Sequence, residues 1–132
     1  MYTNINNKEE LKSFLDEAGY FHDGVIKSIN YVSGSYSSNG WTHPSDDKAE
    51  IIMVIEGCWC GTIKLKFELI SKAVIKPVLK NFDSLIFGGN IYLKNNSFVF
   101  VKDVDNIEDD LNLKKVNSTY IVSKKLSYQI KN

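Results

Sequence analysis

Asn7-Lys8-Glu9-Glu10-Leu11-Lys12-Ser13-Phe14-Leu15-Asp16-Glu17-Ala18-Gly19 is the stretch that decides the fold, because the hydrophobic period changes where it ends. Asn7 followed three residues later by Glu10 is a capping box, which covers the free amides of a helix start. Leu11, Phe14, Leu15 and Ala18 fall at i, i+3, i+4 and i+7, one apolar stripe for a helix of about three turns over Asn7–Ala18. Gly19 supplies the left-handed residue that stops it. Beyond Gly19 the period becomes two. Val25–Val32 reads as a strand entered through Tyr20-Phe21-His22-Asp23-Gly24. Glu50–Glu56 is nearly continuous apolar, the pattern of a central strand covered on both faces. Thr62–Leu69 alternates, with Ile63, Leu65, Phe67 and Leu69 inward and Lys64, Lys66 and Glu68 outward.

Working outward, Gly57-Cys58-Trp59-Cys60-Gly61 is a short hairpin connection between those two strands. Ala73–Lys76 is expected as a shorter strand at an edge, stopped by Pro77. Asn81–Phe87 is expected to form a helical turn before Gly88-Gly89. Ile91–Lys94 and Phe98–Val101 flank Asn95-Asn96, residues that tolerate the positive φ of a tight turn. Thr119–Val122 and Leu126–Ile130 make one long bent strand or another hairpin. The expected fold class is α+β. An N-terminal helix packs on a curved, mostly antiparallel sheet of about six or seven strands, and residues 1–132 form a single domain.

Composition narrows the function classes. All 16 basic residues are Lys, and they balance 16 acidic ones to a formal charge of zero. Arg is the side chain that grips phosphate and guanine edges with a planar fork. Its absence, with no basic excess, argues against a nucleic-acid partner. The abundance of Lys, Asn and Ile suggests an A- and T-rich coding sequence and a bacterial source. No apolar run approaches the ~20 residues of a membrane span. Met1–Glu10 lacks a basic-then-apolar leader and Tyr2 stands where myristoylation needs Gly, so a cytoplasmic protein without membrane contact is expected. Cys58 and Cys60 are then read as reduced thiols around a hairpin.

The constellations suited to chemistry are sparse. His22-Asp23 is the dipeptide of a metal-dependent phosphohydrolase superfamily, but those sites need further His and Asp. Neighbours in a strand also point to opposite faces. A turn-forming role is the simpler reading, and an enzyme using His22, Asp23 and His43 in a cleft is the alternative. No nucleophile lies on a recognisable elbow. Cys58-x-Cys60 lacks the spacing of a zinc knuckle or a thioredoxin motif. Asp103, Asp105, Glu108, Asp109 and Asp110 miss the EF-hand template, since Ile107, Glu108 and Lys114 fall where ligands or Gly are required. Gly88-Gly89 lacks the Lys of a phosphate loop. No metal and no cofactor is expected. The acidic run reads as a solvated loop, or as a rim that steers a basic partner.

Ser33–Lys48 is the most informative connection: about sixteen polar residues where hairpins use two to five. It carries Tyr36, Trp41 and His43 among Ser, Gly and Asn, amphipathic rings on an adaptable frame, as binding surfaces are often built.

Tyr20-Phe21-His22-Asp23-Gly24, with Tyr31 and Tyr36 downstream, resembles the opening of a group of small bacterial α+β domains. His43-Pro44 and Phe67-Glu68 extend the likeness over roughly residues 11–100. Such domains are similar to immunity proteins of polymorphic toxin systems. The aromatic and basic residues usual after their second strand are replaced here by Gly57-Cys58-Trp59-Cys60. Those domains are mostly of unassigned function. Taken with the lack of a catalytic set and the aromatic-bearing loop, the likeness leads to the expectation of a non-enzymatic protein-binding domain, most concretely one that covers the site of a protein toxin. Tyr36, Trp41, His43 and Trp59 would be its contacts and Asp103–Asp110 its charged rim. A homo-oligomer built through edge strands is a further alternative.

Overall fold

A computed structural model of the chain describes residues 1–43, 48–76, 89–102 and 118–132. The expected class holds: among the described residues one α-helix lies on a seven-stranded antiparallel sheet, with a separate two-stranded ribbon. In chain order the elements are β1 (Thr3–Ile5), α1 (Lys8–Ala18), a 3-10 turn (Gly19–Phe21), β2 (Val25–Val32), β3 (Tyr36–Ser38) and β4 (Trp41–His43). There follow β5 (Glu50–Cys58), β6 (Gly61–Val74), β7 (Asn90–Lys94), β8 (Ser97–Val101) and β9 (Tyr120–Lys131). The main sheet runs β2-β5-β6-β9-β8-β7, and β1 pairs with β9.

The helix forms where the capping box and apolar stripe place it. Glu10 N–H donates to Asn7 Oδ1 at 2.8 Å, and Gly19 closes the last turn at φ 60°. The reciprocal bond is displaced by one residue, since Glu10 Oε1 accepts from the backbone N–H of Asn6. Leu11, Phe14, Leu15 and Ala18 are buried. Phe14 meets Tyr128 of β9 with ring centres 4.2 Å apart, and Phe21 at 6.0 Å. Phe100 of β8 then links Phe21 to Phe67 of β6 through edge-on contacts at 5.9 and 6.1 Å. These rings tie the helix, the turn after it and the middle strands into one core.

Several expectations on the strands are corrected. Glu50–Glu56 is not covered on both faces: Ile51, Met53 and Ile55 are buried, while Ile52 and Val54 are half-buried. Ile52 lies opposite Lys66 and Val54 opposite Lys64, long stems that cover apolar neighbours while their heads stay wet. Ala73–Lys76 is not a separate strand: β6 runs on to Val74, bent at Leu69, whose φ of 53° breaks the alternation that seemed to end a strand there. Among the described residues it pairs beyond Glu68 with β9 alone, because the β5 register ends at Glu50, so Ala73 and Val74 do hold the edge and terminal position expected of them. Thr119–Val122 and Leu126–Ile130 are one strand, β9. Asn81–Phe87 lies outside the described residues. The β2 edge is guarded in its first half by a bulge between Ile26 and Ser28 and by Lys27, whose Nζ lies 2.9 Å from Glu56 Oε1. Among the described residues no helix is long and apolar enough to cross a membrane.

Candidate binding hairpin and the opposite end of the sheet

The polar connection at 33–48 contains secondary structure of its own. β3 and β4 form a ribbon with Tyr36 opposite His43, Ser37 opposite Thr42 and Ser38 opposite Trp41. Its turn is Asn39-Gly40, with φ of 51° and 80°, positive at both central residues as a tight hairpin demands. The base is pinned at Gly34, where an added Cβ would stand 2.6 Å from the Cβ of Lys48.

Side chains alternate along each strand and cross-strand partners share a face. Tyr36, Ser38, Trp41 and His43 therefore lie on one face of the ribbon, and Ser37 and Thr42 on the other. The Tyr36 and His43 rings stack at 4.4 Å with planes 10° apart. Ser38 Oγ and His43 Nε2 sit 3.3 Å apart, the donor being set by the imidazole tautomer. Trp41 remains 74% exposed and Tyr36 58%. An isolated two-stranded ribbon is marginal in water, and exposed rings contribute nothing to a core. The face is pre-shaped by its turn and its ring stack and is open to solvent.

His22, Asp23 and Trp59 sit elsewhere. The ribbon leaves the sheet where Val32 pairs with Glu50, the first residue of β5. Trp59 lies just past Cys58, the last. Nine residues of extended chain separate the two ends by about 27 Å. Trp59 and Cys60 form the two-residue turn between Cys58 and Gly61, and Trp59 is 88% exposed. At this end the chain turns sharply into β2, with Tyr20, Phe21 and Asp23 at φ of 53°, 60° and 63°. His22 and Asp23 therefore precede the strand, and they converge instead of pointing apart: Nδ1 and Oδ1 are 3.1 Å apart. Among the described residues no three His, Cys, Asp or Glu gather as a metal site would require.

The nearby thiols are poor nucleophiles. Burial, and secondarily the neighbouring Cys60, pushes the Cys58 thiol up to about 11, and burial also raises Cys60. At neutral pH both stay protonated, whereas thiol chemistry proceeds through the thiolate. Among the described residues neither thiol offers the His22–Asp23 pair an activated nucleophile.

Tyr36, Trp41 and His43 are brought together. Trp59 is set apart from them, and Asp103, Asp105, Glu108, Asp109 and Asp110 lie outside the described residues. Sequence reasoning passed over Ser38 and the ribbon itself, although Asn39-Gly40 flanked by Ser38 and Trp41 is a hairpin signal. The fold and this face define an α+β domain that displays an aromatic ribbon. Comparison with protein families, with characterised proteins and with solved structures finds no match.

Proposed function

We propose that the chain is a non-enzymatic protein-binding domain of the cytoplasm that grips its partner with the aromatic face of the β3–β4 ribbon. The observation that carries this is the shared face of Tyr36, Ser38, Trp41 and His43, with Trp41 74% exposed and Tyr36 58%. Large rings of low conformational entropy, displayed to solvent on one face, are what interface hot spots are made of. The most concrete form of the reading is an immunity-type inhibitor that covers the site of a bacterial protein toxin. It draws on the aromatic-His-Asp entry to β2 and on the ribbon as a projecting contact.

Co-purification from the source cell tests this. A partner held by the wild type should be held by Trp59→Ala and lost with the Tyr36→Ala, Trp41→Ala double variant. If the double variant retains every partner as well as the wild type does, the ribbon is not the binding surface. The toxin form of the reading is tested by co-expression with a toxin-like product of a neighbouring gene. Growth should be rescued by the wild type and not by the double variant.

A further inference from the structure

The register of the ribbon sets four side chains in a two-by-two array on its open face. Tyr36 lies opposite His43 in one row, and Ser38 opposite Trp41 in the next. Partners within a row stand about 5 Å apart, and successive rows on one face about 7 Å apart along the strands. Three corners of the array are rings and the fourth is the small side chain of Ser38. The array therefore holds a shallow depression with Ser38 as its floor. The Tyr36–His43 stack, its planes 10° apart, makes one wall a double ring, and the exposed Trp41 makes the other.

Charge, hydrogen bonding and size restrict what can enter. Residues 28–45 include no Lys, Arg, Asp or Glu. A charged group of a ligand pressed on this face would meet no opposite charge, and an unpaired charge removed from water is costly. The matching ligand surface is uncharged. The Trp41 indole N–H can only donate, while Ser38 and His43 engage each other at 3.3 Å. That favours a ligand rich in carbonyl acceptors and poor in N–H. The face is also small. Four side chains on three-residue strands fall well short of the roughly 800 Å2 that each partner gives to a standard interface. A flexible peptide loses backbone entropy at every residue it orders, which so small a contact does not offset. A segment already in the polyproline II form avoids most of that loss.

We propose that the depression takes an uncharged, proline-rich segment of the partner in the polyproline II form. A pyrrolidine ring enters over Ser38 between Trp41 and Tyr36, and a neighbouring carbonyl accepts from the Trp41 indole N–H. Proline has no amide hydrogen to leave unpaired against a wall that only donates. Aromatic-lined slots are general receptors for such segments. This rests on the ribbon being the binding face and names the chemistry of what it holds.

The test titrates the full chain with an acetylated, amidated oligoproline, a glycine-serine peptide of equal length and a neutral oligosaccharide, followed by backbone amide NMR. Oligoproline should move the signals of residues 36–43 saturably. Trp41→Ala should weaken it about ten-fold or more, and Trp59→Ala should leave it within about two-fold. Ser38→Val fills the floor while keeping all three rings, and it too should weaken binding about ten-fold. The proposal is overturned if oligoproline does not saturate at residues 36–43, if the glycine-serine peptide or the oligosaccharide binds as tightly, or if Trp41→Ala or Ser38→Val keeps wild-type affinity. Its failure is distinct from failure of the ribbon as a binding face. If oligoproline does not bind but the Tyr36→Ala, Trp41→Ala variant still loses its co-purified partner, the ribbon holds a partner of other chemistry.

Discussion

A Cβ placed on Gly24 would lie 2.8 Å from Cys58 Sγ and 2.9 Å from Ile55 Cγ2, both fixed in the core. Gly24→Ala is therefore expected to destabilise the fold by about 1–3 kcal/mol, read as a lower urea midpoint at unchanged slope. Cys58 gives a second prediction at this scale. Its thiol is raised from 9.0 to about 11, so between those values the folded chain keeps a proton that the unfolded chain releases. The stability linked to it is complete below about pH 9 and is lost as pH rises through about 11. Thermal melts across that window should fall more steeply for the wild type than for Cys58→Ala, and parallel curves would refute the assignment. Of these details the sequence shows little. That His22 and Asp23 converge follows from the positive φ of Asp23, and nothing in the residue order announces a left-handed Asp.

At the scale of elements, legibility followed the strength of the local signal. α1 was readable because cap, stripe and stop all agree, and each acts within a few residues. β6 was misread because Leu69 bends it without a Gly or Pro to mark the place. The ribbon was passed over because its three-residue strands bury nothing, and a strand that faces no core has no alternation of apolar residues to betray it. The same contrast predicts stability. Phe14, 2% exposed and packed on Tyr128 and Phe21, should cost about 3–5 kcal/mol when truncated to Ala. Trp41→Ala should change stability by no more than about 0.5 kcal/mol, because the ring touches solvent and not the core. Denaturant melts of the two variants measure both.

For the whole molecule, hydrophobic patterning was enough to give the class but not the path of the chain. Strand order depends on which edges meet, and β1 and β8 share one edge of β9 through pairings that range from about twenty to over a hundred residues apart in sequence. Topology also decides which candidate residues can act together. Tyr36, Trp41 and His43 share a face because of one two-residue turn, whereas Trp59 leaves the sheet at the far end of β5. A partner engaged by the ribbon should thus be indifferent to Trp59. The central claim is tested most directly by calorimetric titration of the co-purified partner against wild type, Trp41→Ala and Trp59→Ala. The account predicts an affinity loss of about thirty-fold or more for Trp41→Ala, the weight of a hot-spot ring, with Trp59→Ala unchanged and both variants folded. Equal affinity for wild type and Trp41→Ala would contradict it.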